Sequence, residues 1–270
     1  MNKQKWLDRF VEVHGHKPMT LVTGGSSGMG LEYARQLAAI GCNLLLVSNQ
    51  KEELEQAAAE LGTRGIQVIS HYQDLATEIA AEELFAFCQA EELQIDILIN
   101  NAGMFFFEEL SRENEAKALK MLRLHVYTPM RMCVLFGEEM KQRGYGYIIN
   151  MSSMAAKLPC PGITTYSATK AFLKSFGKSL YFEMRPYGVG VTTVCPAAIA
   201  TPLYKLKPSL LRLGIKIGLI GTPQWLVRKA INGMLRKRRV VKPGFMNRYL
   251  PPLIAVLPKK LVVKLWKKFK

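Results

Sequence analysis

Thr23-Gly24-Gly25-Ser26-Ser27-Gly28-Met29-Gly30 (TGGSSGMG, 23–30) joins a short apolar run, MTLVT (19–23), to a helical run, LEYARQLAAIG (31–41), and this junction decides the fold. Glycines in such a turn let backbone N–H groups approach an anion at the N-terminus of a helix, where the helix dipole also favours negative charge. The order of strand, glycine turn and helix predicts a site for the diphosphate of a dinucleotide. An ordinary glycine-rich turn is the alternative.

Apolar runs and helical stretches alternate along the rest of the chain. The further runs that predict strands are 43–47, 67–72, 95–100, 147–151 and 189–194, with 240–241 as a candidate seventh strand. The stretches that predict helices are 28–41, 50–62, 75–93, 111–142, 164–187 and 223–237. Such alternation is typical of βαβ units, and strands that are apolar throughout are typical of a sheet covered on both faces. We therefore predict an α/β fold with a Rossmann-type doubly wound parallel sheet of about seven strands.

Five further motifs follow the glycine turn along the chain. They are Asp74-Leu75, Asn100-Asn101-Ala102-Gly103, Ser153, Tyr166-Ser167-Ala168-Thr169-Lys170, and Pro196 to Thr201. Together with the G-x-x-x-G-x-G spacing of the turn, this set resembles the short-chain dehydrogenase/reductase family over about residues 18–202. The resemblance implies a nicotinamide-dependent oxidoreductase.

The resemblance also implies how the cofactor is held. Asp74 would contact the adenine amino group, Asn101 to Gly103 would pack along the ribose, and Pro196 to Thr201 would cover the nicotinamide. Ala197 stands where the family usually has glycine. The residues predicted to bind the cofactor are Thr23, Gly24, Ser26, Ser27, Gly28, Met29, Gly30, Ser48, Asn49, Asp74, Leu75, Asn101, Ala102, Gly103, Tyr166, Lys170, Pro196, Ile199 and Thr201.

Tyr166 and Lys170 are the predicted catalytic pair. They lie four residues apart, so a helix places them on one face. A lysine ammonium beside a phenol stabilises the phenolate and lowers the pKa of the phenol, which suits general acid/base chemistry near neutral pH. Ser153 is predicted to hydrogen-bond the substrate oxygen. Ser152 is the neighbouring alternative, but Ser153 lies thirteen residues before Tyr166, a spacing that resembles the family's and favours Ser153.

His125 departs from the family pattern, because the family usually has asparagine there, organising a water that connects the lysine to solvent. In the family the backbone carbonyl does part of that work, so a histidine is compatible with a proton relay. We therefore treat His125 as a candidate catalytic residue, with a residue that serves only in helix packing as the alternative. Under the relay hypothesis, His125→Ala lowers turnover and leaves cofactor binding intact.

The end of the second predicted strand bears on which nicotinamide cofactor is bound. It reads Val47-Ser48-Asn49-Gln50-Lys51 and lacks the acidic residue that would bind a ribose 2′-hydroxyl and favour NAD. Ser48 can donate to a 2′-phosphate and Lys51 can assist, although many NADP-dependent relatives have arginine at the position of Asn49. NADP(H) is therefore the predicted cofactor, with NAD(H) as the alternative.

Apolar residues dominate the regions expected to surround the substrate. Phe105 to Phe107 follow the Asn-Ala-Gly turn, Leu158 to Cys160 follow Ser153, and a predicted substrate lid covers 202–222. These walls favour a lipid-like, acyl or steroid ketone or alcohol, unless the residues belong merely to the core. The chain looks most like the family branch that contains 3-ketosphinganine, long-chain 3-oxoacyl and 17β-hydroxysteroid reductases. The alternative is an NAD-dependent alcohol dehydrogenase of the same family that acts on a small hydroxy substrate.

The basic character of the chain is confined to its last third. Residues 184–270 hold 19 of the 37 Lys/Arg and none of the 21 Asp/Glu. We predict one domain over 1–242 and a basic extension over 243–270, in which a helix at 259–270 would have an apolar face and a lysine-rich face. Such a helix can lie on an anionic membrane surface or dock on protein. An inactive nucleotide- or nucleic-acid-binding module is a remote alternative: no nucleic-acid motif accompanies the charge, so no nucleic-acid partner is predicted.

The sequence also leads to expectations about where the protein is located and how it assembles. The five cysteines form no C-x-x-C pair, which predicts neither disulfides nor a metal site and favours a reducing compartment. The N-terminal residues show no secretory signal, and no run is apolar enough to span a membrane. We therefore expect a cytoplasmic protein, with the membrane surface as the alternative location. The resemblance implies a homodimer or homotetramer formed through the helices at 111–142 and 164–187.

Overall fold

A computed structural model describes residues 2–158, 160–200, 212, 214–215, 220–244, 247 and 249. Across these residues the strands form a single parallel sheet and confirm the predicted Rossmann-type architecture. The strands are β1 (Met19–Thr23), β2 (Asn43–Ser48), β3 (Val68–Tyr72), β4 (Ile97–Asn100), β5 (Gly146–Met151), β6 (Val189–Val194) and β7 (Val240–Val241). Their order in the sheet is β3-β2-β1-β4-β5-β6-β7.

Helices follow most of the strands along the chain. They are α1 (Lys3–His14), α2 (Gly28–Ala38), α3 (Lys51–Gly62), α4 (Ala80–Ala90), α5 (Glu115–Leu122), α6 (Thr128–Arg143), α7 (Thr164–Met184) and α8 (Pro223–Leu235). None of the helices in the described part combines the length and the hydrophobicity that a membrane span requires.

The stretch at 111–142, expected to be helical throughout, is interrupted. A π-helical turn at Arg123–Tyr127 separates α5 from α6, and the N–H of Thr128 bonds to the carbonyl of Arg123. Pro129 explains the interruption, because proline has no N–H to donate and its ring crowds the carbonyl of the residue four positions earlier, which is His125. The irregular turn therefore lies at the position where the sequence departs from the family pattern.

The strands are apolar throughout because helices cover both faces of the sheet. Leu21 and Leu98 are fully buried on one face with side chains from α4 and α6. Val22 and Ile99 are fully buried on the opposite face with side chains from α2 and α8. Each such burial contributes about 1.5–3 kcal/mol relative to an exposed side chain. The two cores hold the strands in register, so the turns at their carboxyl ends have a rigid base.

Helix α1 was not predicted, and it packs near the amino ends of the strands. Its first turn is capped by Asn2, whose Oδ1 accepts the amide of Gln4 at 3.0 Å. The indole N–H of Trp6 donates to the hydroxyl of Tyr147 at 3.2 Å, and the Phe10 ring meets the Tyr145 ring edge-on at 5.8 Å. This aromatic packing lies at the opposite end of the sheet from the turns that carry the predicted site.

The chain reverses its direction of travel across the sheet between β1 and β4. From β1 it moves outward to β2 and β3, then returns to place β4 on the other side of β1. The turns after β1 and β4 consequently diverge and leave a crevice at the carboxyl ends, where open α/β sheets bind ligands. Thr201, most of the predicted lid at 202–222 and the whole predicted helix at 259–270 lie outside the described residues.

Candidate active site

One cavity of about 450 Å³ brings most of the predicted site residues together. From the predicted catalytic set it is lined by Ser153, Tyr166, Lys170 and His125. From the remaining cofactor set it is lined by Gly24, Ser26, Ser27, Gly28, Met29, Ser48, Asn49, Asp74, Leu75, Asn101, Ala102, Gly103, Pro196 and Ile199. Thr23 and Gly30 lie behind this lining.

The glycine turn presents backbone donors to the cavity. Gly24 has a φ of +64°, a left-handed conformation that glycine adopts without strain. A Cβ at Gly30 would overlap the carbonyl oxygen of Gly24, so only glycine lets α2 approach the turn this closely. Ser27 precedes α2 and forms no side-chain cap, which leaves the first helical N–H groups for an anion. A dinucleotide diphosphate fits these donors.

Thr23 joins the turns after β1 and β4 and does not line the cavity. Its hydroxyl donates to the carbonyl of Ile99 at 3.1 Å and accepts the amides of Asn101 and Ala102, both at 2.9 Å. The side-chain amide of Asn101 donates to the carbonyl of Thr23 at 3.0 Å. The Oδ1 of Asn101 is buried and has no hydrogen-bond partner among the described residues. Since Asn101 lines the cavity, this oxygen is an acceptor that suits a ribose hydroxyl.

Four neutral side chains meet where β2 ends. The hydroxyls of Ser26 and Ser48 lie 2.8 Å apart. Those of Ser26 and Ser27 donate to Oε1 of Gln50 at 3.1 and 3.4 Å. Because both serines donate to the oxygen of Gln50, its NH₂ group is left to face other acceptors. Gln50 was not assigned to the site from the sequence, although it stands two residues after Ser48 and lines the cavity.

Asp74 lines the cavity together with a lysine that the sequence did not single out. The Nζ of Lys120 donates to Oδ2 of Asp74 at 2.8 Å, and the amide of Ala76 donates to Oδ1 at 3.1 Å. Burial alone would raise the pKa of the Asp74 carboxyl, but these two hydrogen bonds outweigh it and lower that pKa. The carboxylate is therefore ionised and paired near neutral pH.

Tyr166 and Lys170 lie one helical turn apart in α7 and are both buried. The Nζ of Lys170 lies 5.6 Å from the centroid of the Tyr166 ring and donates to the carbonyl of Met151 at 3.0 Å. Burial lowers the pKa of the Lys170 ammonium from 10.5 to about 8. The Phe105 ring meets the Tyr166 ring edge-on at 5.0 Å, which places an apolar wall beside the phenol. The pair is thus held in a site with little water.

The two neighbouring serines have different hydrogen bonds. The hydroxyl of Ser152 donates to the carbonyl of Lys170 at 2.7 Å and so ties β5 to α7. The Oγ of Ser153 accepts the amide of Ala155 at 3.1 Å, and its proton has no acceptor among the residues described. Ser153 can therefore donate to a substrate oxygen, whereas the proton of Ser152 is already committed.

His125 is completely buried and uses both ring nitrogens. Its Nε2 accepts the amide of Met104 at 3.0 Å, and its Nδ1 lies 3.1 Å from the hydroxyl oxygen of Thr169. Burial, and secondly the nearby Lys170, lower the pKa of the imidazole well below its ordinary value. The ring is therefore neutral at physiological pH.

Some of the residues beside Tyr166, on the side where a substrate is expected, lie within the described part of the chain. Phe106, Leu110 and Ile163 help to line a small hollow beside Tyr166. Ile199 and Gly221 form a parallel β-bridge, so the chain leaves for the predicted lid and returns from it at one point beside the cavity. Further lining residues that the sequence did not single out are Gln73, Met104, Leu124 and Met151.

The chain is similar in sequence to proteins of known function. Residues 18–209 match the family model for short chain dehydrogenases. The very-long-chain 3-oxoacyl-CoA reductase of Homo sapiens is 34% identical over 199 residues, which cover 70% of this chain and 62% of that protein. The 17-beta-hydroxysteroid dehydrogenase type 3 of Danio rerio is 31% identical over 193 residues, which cover 68% of this chain and 61% of that protein. The chain thus spans less than two thirds of either relative.

A solved structure shares the fold over most of the chain. The short-chain dehydrogenase from Sphingobium yanoikuyae in complex with NADPH is 28% identical, with a TM-score of 0.75. The match covers 90% of this chain and 97% of that one.

Proposed function

Because this chain belongs to the short-chain dehydrogenase/reductase family, we propose that it is an oxidoreductase that interconverts a ketone and a secondary alcohol. The observation that carries the proposal is that Ser153, Tyr166 and Lys170 line the same cavity as the glycine turn. A cofactor held by that turn and a substrate held by Ser153 would meet inside one crevice.

The chain's own residues would handle the substrate oxygen and its proton. A bound nicotinamide would supply the hydride for reduction or accept it for oxidation. During reduction the Tyr166 hydroxyl donates its proton to the former carbonyl oxygen, and during oxidation the phenolate takes that proton back. Ser153 donates a hydrogen bond to the same oxygen and polarises it. Lys170 stabilises the phenolate with its ammonium, which the carbonyl of Met151 holds in place.

The cofactor is proposed to be NADP(H). Ser48, Asn49 and Gln50 bring no carboxylate to the end of β2, and the oriented amide of Gln50 presents hydrogen-bond donors there. Donors favour a 2′-phosphate, which is an acceptor with negative charge. The single carboxylate that the described lining contains, that of Asp74, is paired with Lys120. The solved relative with NADPH bound supports the same choice.

The substrate is proposed to be an apolar ketone or alcohol. Phe105 packs edge-on against Tyr166 and forms an apolar wall there. The small hollow beside Tyr166 combines apolar side chains with the polar side chains of Glu108, Thr164 and Thr165. The human and Danio rerio relatives are named for a very-long-chain 3-oxoacyl-CoA and for a 17-beta-hydroxysteroid. Both names describe molecules that combine a large apolar part, an acyl chain or a steroid skeleton, with an oxygen function that can exchange hydride.

Self-association and membrane contact are further parts of the proposal. Leu119 and Leu122 of α5 and Val134 of α6 are exposed apolar side chains, which supports pairing of two copies through this surface. The amphipathic sequence at 259–270 supports contact with an anionic membrane. Sedimentation equilibrium tests the first part. Co-sedimentation with anionic liposomes, with and without residues 245–270, tests the second, and equal sedimentation of both forms would contradict it.

A substrate screen tests the enzymatic proposal. The purified chain is incubated with NADPH or NADH and with long-chain 3-keto lipids, 3-oxoacyl thioesters, ketosteroids and small hydroxy compounds. Oxidation of NADPH with at least one apolar ketone, lost in Tyr166→Phe, is the expected result. Tight NADPH binding without turnover of any member of the panel in either direction would reject the proposal.

A further inference from the structure

The side chain of His125 connects the two turns on which the candidate site depends. It projects from the π-helical turn and lies at 0% exposure between the segment after β4 and the first turns of α7. On one side it contacts the backbone of Met104, directly after the predicted ribose-binding residues. On the other side it contacts Thr169, the residue before Lys170. His125 therefore touches the supports of both the cofactor and the catalytic pair.

The direction of each hydrogen bond follows from the donors. A backbone N–H can only donate, so Nε2 of His125 must carry a lone pair and accept from Met104. The hydroxyl of Thr169 donates its proton to the carbonyl of Tyr166 at 2.8 Å, so its oxygen accepts from Nδ1–H of His125. The bonds form one directed chain from the amide of Met104 through the imidazole and Thr169 to the backbone of Tyr166. This chain requires the neutral ring with its proton on Nδ1.

A second proton on His125 would disrupt this arrangement. An N–H at Nε2 would face the N–H of Met104, and two donors would meet without an acceptor. The nearby ammonium of Lys170 adds to the penalty, because it repels a charged imidazole. The other titratable group that faces the ring is Tyr166, which packs edge-on at 5.8 Å. Transfer of a proton through the imidazole itself needs a ring nitrogen that is open to a proton donor or acceptor, and both nitrogens of His125 are already occupied.

We infer that His125 is a positioning residue, a neutral brace that sets the first turns of α7 against the segment after β4 and transfers no proton during the reaction. Gly103 makes room for the brace, because a Cβ there would lie 2.9 Å from Nε2 of His125. The proposed roles of Tyr166 and Lys170 give the brace its purpose, so the inference rests on the proposed function. It differs from the relay hypothesis in what it predicts for cofactor binding.

Nitrogen-detected NMR of the full chain tests the brace without any substrate. The His125 ring is expected to show a single Nδ1–H tautomer that does not titrate between about pH 5 and 8, where an ordinary histidine does. The signal is assigned by its loss in His125→Phe or, if that variant does not fold, by single replacement of His14, His16 and His71. An Nε2–H tautomer or a titration in that range would overturn the inference.

A double-mutant cycle tests the chain of bonds. His125→Asn and Thr169→Val are each expected to weaken NADPH binding and to lower turnover by roughly tenfold, because each breaks the link between the two turns. The double variant should be little worse than the more damaging single variant. Ser167→Ala is the matched control, since that hydroxyl bonds to the carbonyl of Thr164 at 3.0 Å in the same helix. It should change neither quantity.

The relay hypothesis makes the opposite prediction for these variants. Since the family has asparagine at this position, a relay residue would keep both turnover and NADPH affinity in His125→Asn. His125→Ala would lower turnover and leave NADPH affinity unchanged, and Thr169→Val would have no effect on either quantity. That pattern would overturn the brace. If no substrate is turned over, the proposed function fails, but the tautomer and the NADPH affinities of the variants still decide the role of His125.

Discussion

The two sides of the cavity are built differently for their proposed tasks, which are cofactor binding and proton transfer. The cofactor wall, formed by residues 24–28 and 48–50, offers backbone N–H groups, hydroxyls and an amide, and it buries no ionised side chain. The catalytic wall, formed by His125, Ser153, Tyr166 and Lys170, buries ionisable groups, among them an ammonium whose pKa is lowered to about 8. Neutral donors bind an anion at little cost to the free fold, whereas a buried ammonium lowers the free energy of unfolding.

Because of this difference, substitutions in the two walls should change different measured properties. Changes in the catalytic wall should act on turnover and on the free energy of unfolding. Changes in the cofactor wall should act on affinity and on the choice between NADPH and NADH.

Replacement of the phenol should have the largest effect. Tyr166→Phe is expected to lower turnover by roughly 10²–10⁴-fold, because the proton donor is lost, while NADPH affinity stays the same. Steady-state kinetics and fluorescence titration with NADPH measure the two quantities. Tyr181→Phe is the control, since Tyr181 lies in the same helix and its ring contacts Arg185 at 5.8 Å. Near-normal turnover in Tyr166→Phe would show that the catalytic wall does not supply the proton.

Replacement of the buried lysine should lower turnover and raise stability together. Lys170→Met is expected to reduce turnover roughly a hundredfold. At pH 7 it should raise the free energy of unfolding by roughly 1–3 kcal/mol, since an ammonium with a lowered pKa is removed together with one hydrogen bond. Chemical denaturation at several pH values measures the stability.

The pH dependence of that stability has a definite sign. Between about pH 8 and 10.5 the unfolded chain still holds the Lys170 proton that the folded chain has lost, so Lys170 adds a rise with pH to the wild-type free energy of unfolding. The buried thiols of Cys42, Cys88 and Cys133, whose pKa values burial raises, add a fall over the same range in wild type and variant alike. Lys170→Met should lack this rise. Lys174→Met, one turn further along α7, should retain both turnover and the rise. A free energy of unfolding that is lower in Lys170→Met than in the wild type would show that the buried ammonium does not destabilise the fold.

A carboxylate in the cofactor wall should change cofactor choice with little effect on the chemical step. Ser48→Asp is expected to shift the ratio of kcat/KM for NADPH and NADH by roughly 10–100-fold toward NADH, because like charges oppose a 2′-phosphate. Asn43→Asp adds the same charge at the other end of β2 and should leave the ratio unchanged. An unaltered ratio in Ser48→Asp would show that the 2′-phosphate of the cofactor does not lie near Ser48.

The ion pair over the cavity should have the smallest effect. Lys120→Met is expected to change the KM for NADPH by less than about fivefold, because a partly exposed pair contributes about 0–1 kcal/mol. Lys117→Met removes a comparable exposed pair with Glu108 and is the matched control. A much larger change in Lys120→Met alone would show that Lys120 contacts the cofactor itself and that the cofactor wall includes a charge.

Local signals in the sequence predicted most of the fold and both walls. The strands lie within two residues of their predicted bounds, because their apolar runs report burial on both faces directly. The glycine turn and the Tyr166–Lys170 pair are likewise short motifs with fixed spacing. Helix α1 also has a signal in the sequence, because Trp6, Phe10 and His14 recur at helical spacing.

Contacts between distant residues could not be predicted. Lys120 reaches Asp74 across 46 positions, and no motif at either residue marks the pair. The orientation of Gln50 depends on two serines of the preceding turn, and the hydrogen bonds of His125 depend on three separate elements. The sequence could show that His125 was unusual, but the choice between a relay and a brace required the positions of Met104 and Thr169.

The bridge between Ile199 and Gly221 separates two parts of the chain that can change independently. The amide of Ala200 bonds to the carbonyl of Gly221 at 2.9 Å, and the amide of Gly221 bonds to the carbonyl of Ala198 at 2.9 Å. These two bonds fix the points at which the chain leaves for residues 201–219 and returns from them. In a flexible loop, doubling the length costs only about 0.6 kcal/mol more in closure entropy. A change of length or composition at 201–219 can therefore leave the lining of the cavity from Gly24 to Ile199 in place.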